Sequence, residues 1–241
     1  MTIPARGIAI PDRVIGLARG AGLTPVWENG IGGLTFRTDD VRFIKFGPLD
    51  PEANMRDEAE RMRWAGRWAR VPEVITQGQD DEHEWLITVA ITGESAVTPR
   101  WIAEPAVAVR AIGEGLRMLH DSLPAQECPW EWSVPARIRN AEARGIRIPD
   151  EFRDPPSIDR LVVCHGDACA PNTILDDEGA PVAHVDLAAL GLADRWADIA
   201  VASMSTEWNF GPGWEDALIE GYGLAPDRER LAYYRDLWNA T

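Results

Sequence analysis

The run VWENGIGGLTFRTDDVRFIKF (26–46) moves between apolar and polar positions in short bursts, punctuated by Asn29-Gly30, Gly32-Gly33 and Asp39-Asp40. Bursts of this kind bounded by turn residues predict two or three short β-strands, and the first part of the chain reads as strand and turn. RDEAERMRWAGRWA (56–69) changes to a helical period, with Met62 and Ala65 on the same side as Glu58. VPEVITQG (71–78) and HEWLITVAI (83–91) return to strand, the second apolar enough for a buried position. After ITGES the character changes. EPAVAVRAIGEGLRMLHDSL (104–123) predicts a helix, with Pro105 in its first turn and Val109, Ile112, Leu116 and Leu119 along one face. ARIRNAEARG predicts another short helix, and RLVVCHGD and APVAHVDLAAL read as strands that end in polar loops. From Asp194 to Thr241 the pattern is mostly helical, broken at Gly211–Gly213. A mainly β part thus precedes a mainly α part, with the seam near Val89–Gly93. A cleft between two such lobes is a common place for a ligand.

Charge and composition narrow the partners. With 241 residues, 45% of them hydrophobic, and 11 Trp, the chain can bury a substantial core. Its formal charge of −15 argues against nucleic acid, because phosphate binding calls for Lys and Arg. An acidic surface suits either solubility or a polycationic partner. Cys128, Cys164 and Cys169 follow no metal-ligand spacing and form no even-numbered framework, which points to a reducing, cytoplasmic setting. MTIPARGIAIPDR lacks a long apolar leader segment, and no run approaches the ~20 residues of a membrane span.

The chemistry sits in VVCHGDACAPNTIL (162–175), where an apolar run breaks into His165, Gly166 and Asp167 and places Asn172 five positions later. Phosphoryl transfer needs a carboxylate to take the attacking hydroxyl's proton, oxygen ligands for a metal, and a lysine on the phosphates. Asp167 is the candidate base, and Asn172 on the same loop can ligand a metal through its amide oxygen. Asp186 follows a second strand, APVAHV. Lys45 interrupts the apolar strand RFIKF, an awkward place for an unpaired charge. Glu58 on the next helix is its natural partner; a solvated strand face for Lys45 and a solvated helix face for Glu58 are the plainer alternatives. NGIGG (29–33) is either a plain hairpin turn or a loop whose amides meet anionic oxygens.

Together HGDACAPN, HVDL and ADRWADIA resemble the protein-kinase-like antibiotic phosphotransferases, most closely the aminoglycoside 3'-phosphotransferases, from about Trp27 to the C-terminus. The resemblance implies an α+β, two-lobed protein-kinase-like fold: a small antiparallel β N-lobe that binds nucleotide (1–90), and a mainly α C-lobe with the catalytic loop and acceptor site (91–241). It implies ATP or GTP with Mg²⁺, and transfer of the γ-phosphate to a hydroxyl of a small molecule. By it Asp167 is the base, Asn172 and Asp186 ligate Mg²⁺, and Lys45 grips the phosphates while paired with Glu58. Gly30, Gly32 and Gly33 form the loop over the phosphates, with Gly32 at the family's usual serine. The backbone near Val89 and Ile91 holds the adenine edge. His165 anchors the loop, Gly166 relaxes its backbone, His120 caps a helix end, and Asp194 and Asp198 brace the loop after the metal site. The expected setting is a cytoplasmic monomer or weak dimer with no nucleic-acid or membrane partner.

The acceptor side departs from that family. Aminoglycosides are polycations, and the family lines their pocket with carboxylates from the helix after the DIA motif and from the chain's last residues. Here the first pair falls on Trp208 and Asn209, with Glu207 one place early, and the second region reads Trp238, Asn239, Ala240 and Thr241. Ala188 and Ala189 stand where Gly and Arg are usual. Glu207, Trp208, Asn209, Trp238, Asn239 and Thr241 are the acceptor candidates. Two Trp and two Asn favour a flatter, less charged hydroxyl compound, so a macrolide, sugar or amino alcohol stands beside an aminoglycoside. A non-catalytic nucleotide-binding relic is the third reading, against which the intact set Lys45, Glu58, Asp167, Asn172 and Asp186 argues.

Overall fold

The computed structural model describes residues 8–49 and 54–241. Positions 1–7 of the stretch read for a leader lie outside the described residues. The chain divides into two compact units, one running to Arg67 and resuming over Val71–Ile91, the other holding Trp68–Arg70 and Thr92–Thr241.

The first unit runs α1 (Asp12–Ala18), β1 (Leu23–Glu28), β2 (Leu34–Thr38), β3 (Arg42–Pro48), α2 (Met55–Ala65), β4 (Val74–Gln79) and β5 (His83–Val89). Its five strands form one antiparallel sheet in the order β1-β2-β3-β5-β4. Ile44 and Phe46 point to one face, where they bury with Phe36, Trp85 and Ile87 against Val14 and Ala18 of α1. The period of two therefore sends Lys45 to the opposite face. Its register is set on both sides, by Thr35 of β2 and Leu86 of β5. α2 starts where the Asn54 side chain accepts the Arg56 and Asp57 amides at 2.9 and 3.1 Å, an N-cap. The strand reading of the first part omits α1. Seven residues are two turns, too few for a period to stand out, and packing of Val14 and Ala18 holds them helical.

The second unit runs β6 (Glu94–Ser95), α3 (Pro99–Ile102), α4 (Pro105–Ser122), α5 (Val134–Ala143), β7 (Leu161–Cys164), β8 (Thr173–Leu175), β9 (Pro181–His184), β10 (Gly191–Asp194), α6 (Trp196–Phe210), α7 (Glu215–Tyr222) and α8 (Arg228–Ala240). α4 buries Val109, Ile112, Leu116 and Leu119, the face its period predicts. It crosses α7 backbone to backbone: a Cβ on Gly113 would lie 2.2 Å from Leu218 O, and one on Gly221 2.6 Å from Arg110 O. α6 is buried all round from Trp196 to Thr206, as a helix without a polar face must be. β8 and β9 form a hairpin that pairs Thr173 with His184. The Val185 amide then donates to Asn172 O at 3.0 Å, so the hairpin closes the sequence gap between Asn172 and Asp186.

Candidate active site

Lys45 Nζ lies 2.7 Å from Glu58 Oε1. Glu58 is 4% exposed, and its helix turns it inward together with Met62 and Ala65. A nearly buried carboxylate holding a part-buried ammonium is a fixed point charge, suited to a phosphate. The solvated-face readings of these two residues do not apply.

The glycine loop is built differently from the expectation. Asn29 Oδ1 accepts the Ile31 amide at 3.2 Å and the Gly33 amide at 2.6 Å, while Gly32 N–H donates to Asn29 O at 3.3 Å. The amides of Ile31, Gly32 and Gly33 are thus turned onto Asn29 instead of outward, because its side chain supplies the acceptor they need. Gly30 and Gly32 are exposed, and Gly33 is buried. At the end of β5 the backbone donors are already engaged. Val89 donates its N–H to Glu73 O at 2.9 Å, and Ala90 donates to Val41 O at 2.9 Å. β5 thus ends with two backbone donors paired inside the first unit. Ile91 closes the first unit.

In the second unit β7 delivers the loop His165–Asn172. His165 Nε2 is 2.9 Å from Val185 O, which can only accept, so Nε2 carries the proton and Nδ1 accepts the Asp167 amide at 3.3 Å. Gly166 has φ of 85°, and a Cβ there would meet Ala189 O at 2.2 Å, so no other residue fits. Asn172 donates from Nδ2 to Asp167 O at 2.9 Å and reaches Asp167 Oδ2 at 3.4 Å. Asp167 Oδ1 is buried and takes no hydrogen bond from the described residues. Asp186 stands at φ of 68°, a left-handed conformation that a non-glycine residue adopts at a cost and that recurs at functional positions. Asp167, Asn172 and Asp186 are therefore brought together by one loop and one hairpin. Burial pushes the neighbouring His184 imidazole down to about 3, so it is a neutral packing residue.

The roles expected for His120, Asp194 and Asp198 change. His120 caps no helix end. It is fully buried, with Nε2 2.9 Å from Asp198 Oδ2 and Nδ1 2.8 Å from the Tyr222 hydroxyl. Asp198 braces the start of the catalytic loop, accepting the His165 amide at 2.5 Å and the Gly166 amide at 3.0 Å. Burial works to raise its pKa, but His120, His165 and the Gly166 amide outweigh that and hold the carboxyl below its ordinary value. Asp194 accepts the Asp159 amide at 2.8 Å and caps α6 through the Trp196 amide at 3.1 Å.

The acceptor candidates separate. Trp208 is 60% exposed and Asn239 is exposed. Asn209 donates Nδ2 to Ser205 O at 2.8 Å and to Ser205 Oγ at 3.2 Å. Glu207, two residues round α6 from Ser205, turns to the other side, where it lines a cavity of about 270 Å³ with Ser203, Trp214, Glu215 and Arg235. Trp238 lies over the Arg137 guanidinium at 5.7 Å, which Trp132 covers from 5.3 Å. Thr241 Oγ1 accepts from Arg137 Nη2 at 2.9 Å, and Thr241 O accepts from Arg144 Nη2 at 2.5 Å. Glu207 thus faces Arg235 and Glu215 in that cavity, and Arg137 of α5 and Arg144 at its C-terminal end engage Thr241. Sequence reasoning missed Asn29, Arg137 and Ser205, whose hydroxyl accepts the Ala170 amide at 2.8 Å.

A strand lysine paired with a glutamate on the next helix, and an Asp–Asn loop beside a second Asp, are the parts of a kinase. The chain belongs to the phosphotransferase enzyme family, whose profile matches residues 28–234. It is 34% identical to an aminoglycoside 3'-phosphotransferase of Streptomyces fradiae, over 80% of this chain and 83% of that one. A streptomycin 3''-kinase of Streptomyces griseus is 32% identical over 86% and 87% of the two chains. Among solved structures, an aminoglycoside phosphotransferase of Streptomyces rimosus in complex with ADP and streptomycin matches with a TM-score of 0.70 at 27% identity, covering 95% of this chain and 98% of that one. An aminoglycoside 3'-phosphotransferase of type VIII gives 0.73 at 28%, with the same coverage. The α+β kinase-like fold and the family are those the motifs imply.

Proposed function

We propose that the protein transfers the γ-phosphate of ATP or GTP, with Mg²⁺, to a hydroxyl group of an aminoglycoside antibiotic. The observation that carries this reading is the Asp167–Asn172–Asp186 group. Asp167 has one buried carboxylate oxygen without a hydrogen bond. Asn172 turns its amide nitrogen onto Asp167 and so keeps Oδ1 as an acceptor. These hard oxygen donors fit Mg²⁺, which Asn172 and Asp186 would hold and which neutralises phosphate charge when bound. Asp167 takes the proton from the attacking hydroxyl, and the loop contacts fix where that carboxylate stands. Lys45, steadied by Glu58, grips the phosphates, and Ile91 offers backbone to the base. Gly30, Gly32 and Gly33 lie over the phosphates once their loop opens from Asn29. An N-terminal lobe (1–90) handles nucleotide, and a C-terminal lobe (91–241) carries the catalytic loop and acceptor site. Three free cysteines and a nucleotide co-substrate support a cytoplasmic setting, and we take the enzyme as a monomer or weak dimer.

A second reading keeps the chemistry on a less cationic alcohol, such as a macrolide, sugar or amino alcohol. It is favoured by Trp208 and Asn239 standing exposed where carboxylates are expected, and by Arg137 and Arg144 on Thr241. The test is nucleotide turnover by purified protein with Mg²⁺, ATP or GTP, and a panel of kanamycin-like cations, macrolides and neutral sugars, with Asp167→Asn as the blank. Stimulation by the cations supports the first reading. Stimulation by other alcohols alone supports the second, and none at all removes both.

A further inference from the structure

α6 carries three hydroxyl residues within one turn, and they behave differently. Ser203 Oγ bonds back to Ala200 O at 2.7 Å, and Thr206 Oγ1 to Ser203 O at 2.8 Å, the ordinary way a helix disposes of a buried hydroxyl. Ser205, 1% exposed, instead accepts the Ala170 amide at 2.8 Å. Ala170 lies between Asp167 and Asn172. Asp198 stands two turns earlier on the same face of α6 and accepts the amides of His165 and Gly166. One rigid helix therefore holds the loop on both sides of Asp167.

Asn209 completes the second hold. It lies one turn beyond Ser205, and its carboxamide reaches both Ser205 O and Ser205 Oγ. Ser205 O can only accept, which settles the orientation of the amide: Nδ2 faces Ser205 and Oδ1 faces away. Asn209 thus donates to the same Ser205 oxygen that accepts the Ala170 amide and helps fix its χ angle. A carboxylate at 209 has no donor for Ser205 O and would repel it. The asparagine is a consequence of that contact, where a carboxylate was the expectation.

We infer that Ser205, held by Asn209, is a positioning residue for phosphoryl transfer, fixing the loop between Asp167 and Asn172 through the Ala170 amide. The inference rests on the proposed roles of Asp167 and Asn172 and adds the group that sets their spacing. Removing the hydroxyl leaves a buried amide without an acceptor and lets the middle of the loop move, so Asp167 loses its aim while nucleotide contacts in the first unit stay as they are.

The test has two arms. Ser205→Ala lowers kcat by about 10- to 100-fold, the range for groups that orient catalytic residues, and leaves nucleotide KM within about twofold. Ser205→Thr, which keeps the oxygen, recovers most of the rate, and Asn209→Ala falls between. Hydrogen exchange of the 165–172 segment is followed in parallel and needs no acceptor. Protection at Ala170 falls in Ser205→Ala and returns in Ser205→Thr, with far-UV circular dichroism unchanged. Equal protection at Ala170 in wild type and Ser205→Ala overturns the inference, as does an unchanged kcat. Should wild type phosphorylate nothing on the acceptor panel, the proposed activity fails, and the exchange arm still decides the anchor.

Discussion

Asp198, which has no exposed surface, accepts His120 Nε2–H at 2.9 Å with the same oxygen that accepts the His165 amide. A buried carboxylate with three N–H partners from two segments is costly to leave half-made. Asp198→Asn should reduce unfolding free energy at pH 7 by about 3–5 kcal/mol, read from urea denaturation.

The same contact has a pH signature. The Asp198 carboxyl is held below its ordinary value, so the native state binds this proton less readily than the unfolded chain. Its stabilisation is complete above the unfolded carboxyl value of about 3.9 and is lost as pH falls through the native value. Urea midpoints from pH 7 down to pH 3 should fall less steeply for Asp198→Asn than for wild type. Parallel curves would assign the acid sensitivity to other carboxylates.

Lys45 and Glu58 yield a prediction confined to the first unit. Glu58 holds the Lys45 ammonium in place, and a charge-assisted bond from that ammonium to a phosphate is worth about 1.5–3 kcal/mol. Lys45→Met should weaken nucleotide binding by about 10- to 100-fold, measured by titration calorimetry. Glu58→Gln keeps the shape and one acceptor oxygen, so its loss should be smaller. If Lys45→Met binds nucleotide as wild type does, the lysine does not face the phosphates.

Asn29 works in the other direction. Its carboxamide oxygen occupies the Ile31 and Gly33 amides, the donors that a phosphate would use in such a loop. Nucleotide must displace a net ~0.5–1.5 kcal/mol for each bond. Asn29→Ala should therefore tighten nucleotide binding by several-fold, and Asn29→Asp, a stronger acceptor with a charge, should weaken it. Weaker binding by Asn29→Ala would show that the side chain shapes the loop without blocking it.

What the sequence made legible were the features that act through local pattern. α2 and α4 declared their buried faces by period, and Lys45, Glu58, Asp167, Asn172 and Asp186 stood out by their joint order, since each taken alone has a plainer reason to stand where it does. α1 was hidden by its two turns. Ser205 was hidden among Ser203 and Thr206, since which hydroxyl leaves the helix depends on an amide 35 residues upstream. His120 read as a helix cap for the same reason: its partners Asp198 and Tyr222 lie 78 and 102 residues away. Asn29 was the exception, a local Asx contact within five residues that the glycine pattern overshadowed.

The acceptor side offers the sharpest separation of charge from shape. Trp208 is 60% exposed and Asn239 is exposed, so both can change without disturbing the core, whereas Asn209 is committed to Ser205 and Thr241 to Arg137. Trp208→Glu with Asn239→Asp adds two negative charges to the surface that the family lines with carboxylates. Exposed ion pairs are worth about 0.2–1 kcal/mol each. KM for kanamycin-like cations should fall by about 2- to 30-fold in the double variant, with kcat little changed. The gain should shrink as salt rises from roughly 0.01 to 1 M, because the screening length falls from about 30 to 3 Å. A gain that survives high salt would come from packing, and a loss would mean that the Trp208 indole itself holds the acceptor, as the less cationic reading requires.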